Sequence, residues 1–224
     1  MAHRPNLSRA RIIDAAARVA DRSGLPGVSM RTVGRELGVE AMSLYHHVPS
    51  KDVLLDDLAD WVFLDMPVPR LDAPWRPAMA ARARQAREAL SEHPWALGLI
   101  ESRRSAGPAL LRRHDATLGC LRRNGFPVAL AAHAMSVLDA YVHGFVLTEV
   151  NLPIEPGESA QDFVAEIGVP LGELPFLAEM VGEMMVGQDY AYADEFDYGL
   201  DLVLDGLAAR LAAAGASAGT SDRR

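Results

Sequence analysis

The stretch that most constrains this chain lies between Ser29 and Pro49, where two short helical patterns flank a glycine. Ser29 suits an N-cap, Met30, Val33 and Leu37 fall on one face, and Gly38 ends the pattern. A few residues on, Ala41, Met42, Leu44, Tyr45 and Val48 predict a third short helix that stops before Pro49. Two short helices hinged at a glycine make a helix-turn-helix, whose second helix lies in the major groove of DNA. Ahead of them Ile12, Ile13, Ala16, Val19 and Ala20 share one helical face, with Ser8 as N-cap and Gly24 as a left-handed C-terminal residue. A small helical bundle that touches nothing is the alternative that spacing alone leaves open.

Charge favours the first reading. The chain carries −8 over its 224 residues, but residues 1–51 hold eight basic against four acidic side chains, and residues 52–224 carry the whole negative excess. A basic head on an acidic body suits a nucleic-acid-binding module carried by a body that binds none. Half the residues are hydrophobic, which excludes a disordered chain. The longest run without Asp, Glu, Lys or Arg is 15 residues, 124–138, against the roughly 20 of a membrane-crossing helix, so no membrane span is predicted. No signal segment is read at the start, and a cytoplasmic location is expected. A single cysteine, Cys120, is read as a buried packing thiol.

Beyond Lys51 the apolar spacing predicts one helix after another. A connecting helix spans 51–66, and further helices run over 74–92, to about Ser102, from Pro108 to Gly125, and over 128–149. A turn-rich acidic loop occupies 151–158, helical patterns resume over 161–167 and 174–186, and a last amphipathic helix begins near Phe196. The predicted fold is all-α. Its parts are a DNA-binding head (1–50), the connecting helix (51–66), a ligand-binding and dimerisation body (67–214) and a disordered tail (215–224).

The head resembles the tetracycline-repressor (TetR) family of transcriptional regulators. The resemblance rests on Arg11-Ile-Ile-Asp-Ala-Ala, on the run from Gly27-Val-Ser-Met-Arg-Thr-Val-Gly to Leu44-Tyr-His-His-Val, and on Pro49-Ser-Lys-Asp-Val-Leu-Leu. Looser matches in the body are His93-Pro-Trp, 118–126, 127–149 and the stretch from Phe196. The family implies a homodimer that binds a palindromic double-stranded operator and is released by a small-molecule effector. It also implies that the third helix reads the operator with Ala41, Met42, Ser43, Tyr45, His46 and His47. Hydroxyls of Ser43 and Tyr45 suit phosphates or base edges, and Met42 suits a thymine methyl. Partial burial in the head is the alternative for Tyr45. Arg31 suits guanine, Ser29 and Thr32 lie beside it, and Lys51, the chain's one lysine, suits a phosphate at the start of the fourth helix. His3, Arg4 and Asn6 form either a minor-groove arm or an inert tail.

For the effector the expected lining is Trp95, Leu99, Met135, Leu138, Val142 and Phe176, with Asp139 or His143 as polar anchor, a setting for a mostly apolar compound. Asp139 and His143 stand four apart on one helix face, and a structural or interface pair is the alternative. The family's magnesium–tetracycline arrangement uses an imidazole on the short helix after 74–92, and residues 96–102 hold no histidine. Drug-clasping polar residues are likewise not seen among Ala81, Arg82 and Ala86, so that chelate is not the predicted effector. No cofactor and no metal are expected. Phe196, Leu200, Val203, Leu204, Leu207 and Leu211 form the predicted dimer stripe. Two rival functions are an all-helical enzyme using Asp139 and His143 as an acid–base pair, and a dimeric interaction protein without DNA binding. The first lacks every catalytic motif sought.

Overall fold

The computed structural model describes residues 7–102, 106–152, 165, 166, 168, 170–188 and 190–221. Among them the chain forms ten α-helices, two short 3-10 turns and no strand. The predicted arm, most of the 151–158 loop and most of the 161–167 helix lie outside the described residues.

Three helices make the head. α1 (Arg9–Gly27) is capped by the Ser8 side chain and kinks at Gly24 (φ 63°), the residue read from the sequence as its left-handed end, before continuing to Gly27. α2 (Met30–Leu37) opens on a reciprocal cap and ends at Gly38, with φ 68°. α3 (Ala41–Leu44) is one turn long, and 45–47 continue as a turn rather than as helix. The tight approach of α2 to α3 depends on Gly34. A Cβ there would sit 2.9 Å from the Val39 carbonyl oxygen and 3.2 Å from the Ala41 nitrogen. Ile12, Val19, Val33, Leu44, Leu54 and Leu58 are buried together beneath these helices.

α4 (Lys51–Trp61) is shorter than the predicted 51–66 connector. The chain turns after Trp61 so that Val62 and Phe63 enter the core of the body. α5 (Trp75–Glu92), α6 (Trp95–Ser102), α7 (Pro108–Arg123) and α8 (Val128–Glu149) follow, broken at His93-Pro94, Gly107 and Gly125-Phe126-Pro127 as the punctuation implies. After α9 (Pro175–Met184), α10 (Glu195–Ser221) closes the body. It continues through 215–221, where the sequence predicts a disordered tail. No proline stops the helix there, although Gly215 and Gly219 are weak helix formers.

α8 is the axis of the body. By length and composition alone it is apolar enough to cross a membrane. Its Ala131, Ala134, Leu138, Val142 and Val146 are instead buried in the same core as side chains of α5, α7 and α10. A helix that packs against several neighbours in a core is apolar on those faces and passes the same test of length and composition. Cys120 is fully buried, its Sγ 3.7 Å from the Ala73 carbonyl oxygen, and burial pushes its thiol pKa up.

Candidate functional site

The predicted DNA-contacting residues of the head are mostly exposed. Met42 is 73% exposed and Tyr45 42%, with His46, His47, Arg31 and Lys51 also exposed. Ala41 and Ser43 are half-buried at the edge of the same helix. Tyr45 therefore stands outward rather than in the head core. Ser29 and Thr32 differ from the rest of the predicted set, because their hydroxyls serve each other. The Thr32 amide donates to Ser29 Oγ at 3.1 Å, and the Ser29 amide donates to Thr32 Oγ1 at 2.9 Å. Thr32 Oγ1 lies 2.8 Å from the Gly27 carbonyl oxygen. This pair fixes the start of α2, and with it the direction of Arg31.

Several head arginines are already matched with carboxylates. Arg18 and Arg22 both reach Glu36, which holds its carboxyl below the ordinary range, and Arg9 holds Asp57 at 2.7 Å. Arg31, Arg35 and Lys51 make no ion pair among the described residues, and they are the cations left on the outer side of the head. Lys51 sits in the first turn of α4, where Ser50 accepts from the Val53 amide at 3.2 Å.

Head meets body through aromatic and carboxylate contacts. Asp21 accepts from Trp95 Nε1 and lies against His93 Nδ1, each at 2.7 Å. Asp14 accepts from Trp61 Nε1 at 2.9 Å, and the Trp61 ring stacks on Trp95 with centroids 6.4 Å apart. Leu99 is buried in the head core. Trp95 and Leu99 thus sit at this joint and line none of the openings described below. A Trp or Leu beside a helix break reads alike in either role, and only the approach of α1 decides between them.

A cavity of about 120 Å³, partly open to solvent, lies within the body. Its apolar lining is Phe63, Ala86, Leu90, Ile100, Leu110 and Val142, and its polar lining includes Arg82, Arg113, His114, Asp139 and His143. Three predicted residues, Asp139, Val142 and His143, line it. Leu138 is buried in the surrounding core, Met135 is half-buried and not in the lining, and Phe176 is 84% exposed on α9. Arg82 and Ala86, among which no drug-clasping polar group is read from the sequence, are both in the lining.

The polar end is organised around Arg82, which is 3% exposed. Its Nη2 donates to Asp139 Oδ1 at 2.7 Å and its Nε to Thr117 Oγ1 at 3.1 Å. Arg113, 2% exposed, donates to the carbonyl oxygens of Arg82 and Pro67. Burial and the neighbouring Arg82 charge lower Arg113 to about 10. Burial also lowers His114.

Larger openings exist at the surface. One of about 490 Å³ lies where Arg87, paired with Glu149, covers the rings of Phe145 and Phe196. Another, about 510 Å³, is an apolar groove between α8 and α10 lined by Leu130, Val137, Leu202, Val203 and Leu207. Most of the predicted dimer stripe faces inward: Phe196, Leu200 and Leu204 are buried inside the protomer and Leu211 packs against the same core, while Val203 and Leu207 touch that core and also line the open groove. The opposite faces stay open, with Tyr198 68%, Leu202 59%, Leu147 57% and Val137 48% exposed.

Residues 12–58 match the family model for bacterial regulatory proteins of the tetR family, and residues 68–211 match the model for the tetracyclin repressor-like C-terminal domain. The HTH-type transcriptional repressor DrrR1 of Streptomyces coeruleorubidus is 33% identical over 215 residues, 91% of this chain and 78% of that protein. The class A tetracycline repressor of transposon 1721 from Escherichia coli is 30% identical over 203 residues, 89% of each chain. Among solved structures, ActR of Streptomyces coelicolor in complex with actinorhodin superposes with a TM-score of 0.74 at 26% identity, covering 92% of this chain and 99% of that one.

Proposed function

The chain belongs to the tetracycline-repressor family of transcriptional regulators, and we propose that it acts as a homodimeric repressor, released from a palindromic operator by a small molecule bound in the body cavity. The observation that carries the DNA-binding half is the outward face of Arg31, Met42, Tyr45, His46, His47 and Lys51 on an intact helix-turn-helix. In the dimer two such faces meet successive major grooves. Lys51 and Tyr45 contact phosphate, and Arg31 and Ser43 read bases.

The open apolar faces of α8 and α10, together with Phe176, Leu177, Met180 and Met184 on α9, form the interface. Exposed large apolar side chains gathered on helix faces are what a protein–protein interface uses.

Coupling runs through α4. Phe63, two residues beyond its end, lines the cavity. Asp60 accepts from the amides of Ala109 at 3.0 Å and Leu110 at 2.9 Å, and Leu110 also lines the cavity. A ligand that displaces α7 therefore pulls on α4, and through the Trp61, His93 and Trp95 joint on α1. It lowers DNA affinity to the extent that it prefers the state with mis-spaced heads.

The test is an electrophoretic shift with DNA upstream of the chain's own gene, run with and without compounds that relieve repression in cells. Ala86→Leu, which replaces a methyl with an isobutyl group at the cavity wall, should keep operator binding and lose the effector response. Operator affinity no better than that for random DNA would sink the DNA-binding reading, and a normal response in Ala86→Leu would misplace the cavity.

A further inference from the structure

Resting on the effector cavity just proposed, we infer that its ligand is a weak organic acid, one anionic group on an otherwise apolar frame, received between Arg82 and Arg113.

The charges inside the cavity do not balance. Two guanidinium groups, each at least 97% buried, meet one carboxylate, Asp139, whose second oxygen is 4.0 Å from His114 Nε2. Arg113 makes no ion pair among the described residues, and its two hydrogen bonds go to neutral carbonyls. Arg82 spends Nε and Nη2 on Thr117 and Asp139, but its buried Nη1 has no hydrogen-bond partner among the described residues. A buried guanidinium donor left without an acceptor is expensive, and an anion is the acceptor that relieves both the missing bond and the excess charge. Arg113, lowered to about 10 by burial and by Arg82, is still charged at neutral pH, so the excess persists under working conditions.

Cavity size and walls define the remainder of the ligand. At about 120 Å³ the space is near that of the engineered 150 Å³ cavity known to bind benzene, so it takes roughly one ring. Phe63, Ala86, Leu90, Ile100, Leu110 and Val142 offer that ring no hydrogen bonds from their side chains. A sugar or a dication finds too few matching groups here. The sequence suggests an apolar compound with Asp139 or His143 as anchor. The structure reverses the sign of that anchor, because Asp139 is held by Arg82 and the unmet donor is cationic.

Benzoate and benzamide are probes of one shape and different charge, titrated calorimetrically into the full chain at neutral pH. Benzoate is expected to bind at least tenfold more tightly. Asp139→Asn, which removes the competing carboxylate, should raise benzoate affinity threefold or more and leave benzamide unchanged. Arg82→Met should erase the preference, and the opposite directions of the two variants separate charge from general damage to the fold. Equal binding of both probes, abolished together in Ala86→Leu, overturns the acid inference and leaves the effector cavity standing. Binding by neither probe overturns the acid inference, while the effector cavity is judged by the Ala86→Leu response alone. Benzoate binding that survives Ala86→Leu places the anion elsewhere and also overturns the inference.

Discussion

Asp60 is the place to test whether head and body communicate as the geometry implies. It lies in the last turn of α4, and its carboxylate caps α7, accepting two amides that the helix itself leaves without partners. Asp60→Ala removes both acceptors. An N-terminal cap contributes typically about 1 kcal/mol, and a carboxylate at the positive end of the helix dipole adds about 0.3–1 kcal/mol. Asp60 is half-buried, so water replaces part of what the substitution removes, and about 1.5 kcal/mol is the expected destabilisation. For a chain of this length that lowers the melting temperature by about 3–6 °C. The functional effect should be larger than the stability effect. Allosteric coupling is commonly worth about 1–3 kcal/mol, and this contact ties α4 directly to α7 and its cavity-lining Leu110. Operator affinity of the free variant is expected within about threefold of wild type, while the effector-driven drop in affinity shrinks about tenfold. Fluorescence anisotropy with labelled operator, with and without effector, measures both. Gly107→Ala supplies an independent check, since a Cβ there would overlap the Asp60 carboxyl group and push it from α7. If Asp60→Ala melts lower as expected yet keeps full effector response, the coupling does not run through α4 and α7.

Other expectations concern DNA, assembly and pH. Lys51→Ala should weaken binding to all sequences and lower the salt slope of operator affinity by about one, whereas Arg31→Ala should relax base preference at a cost of about 1–3 kcal/mol; unchanged slope and unchanged preference in titrations from low to moderate salt would remove both assignments. Leu202→Glu, at an exposed position, should yield folded monomers in sedimentation, while Leu204→Glu, 1% exposed, should instead lose helix signal through a charge buried in the protomer; a folded monomer from Leu204→Glu would restore the Phe196 to Leu211 stripe as the interface. His114, whose folded pKa is depressed by burial, binds its proton less readily than in the unfolded chain, so stability should fall as pH drops below the ordinary 6.5 and level off below the folded pKa. His114→Phe should flatten that acid limb in thermal melts taken across the range.

What the sequence disclosed, and what it withheld, follows from how local each signal is. Ser29, Gly38 and Pro49 mark helix ends by rules that act within one turn, and the starts of α1, α2 and α4 and the end of α2 were legible to within a residue or two, whereas α3 ends at Leu44 rather than just before Pro49. The connecting helix reads too long because Val62, Phe63 and Leu64 continue the apolar pattern. Only the pull of the body core, which buries Val62 and Phe63, shows where the helix stops. The last helix is apolar on more than one face, and no periodicity says which face meets its own chain. Leu204 and Leu202 differ by two positions, yet one is in the core and the other in the open. The cavity charges were hidden by a sound default, that arginine lies at the surface. One signal was there to be read. Leu110, Arg113, Thr117 and Leu121 fall on a single face of α7 at spacings of three, four and four. An arginine within an apolar stripe, with a hydroxyl one turn away, must either leave the core or be met inside it. Here the Arg82 and Pro67 carbonyl oxygens meet Arg113 inside, while Thr117 takes the Nε of Arg82, and so a second guanidinium is fixed beside the one whose Nη1 still lacks an acceptor.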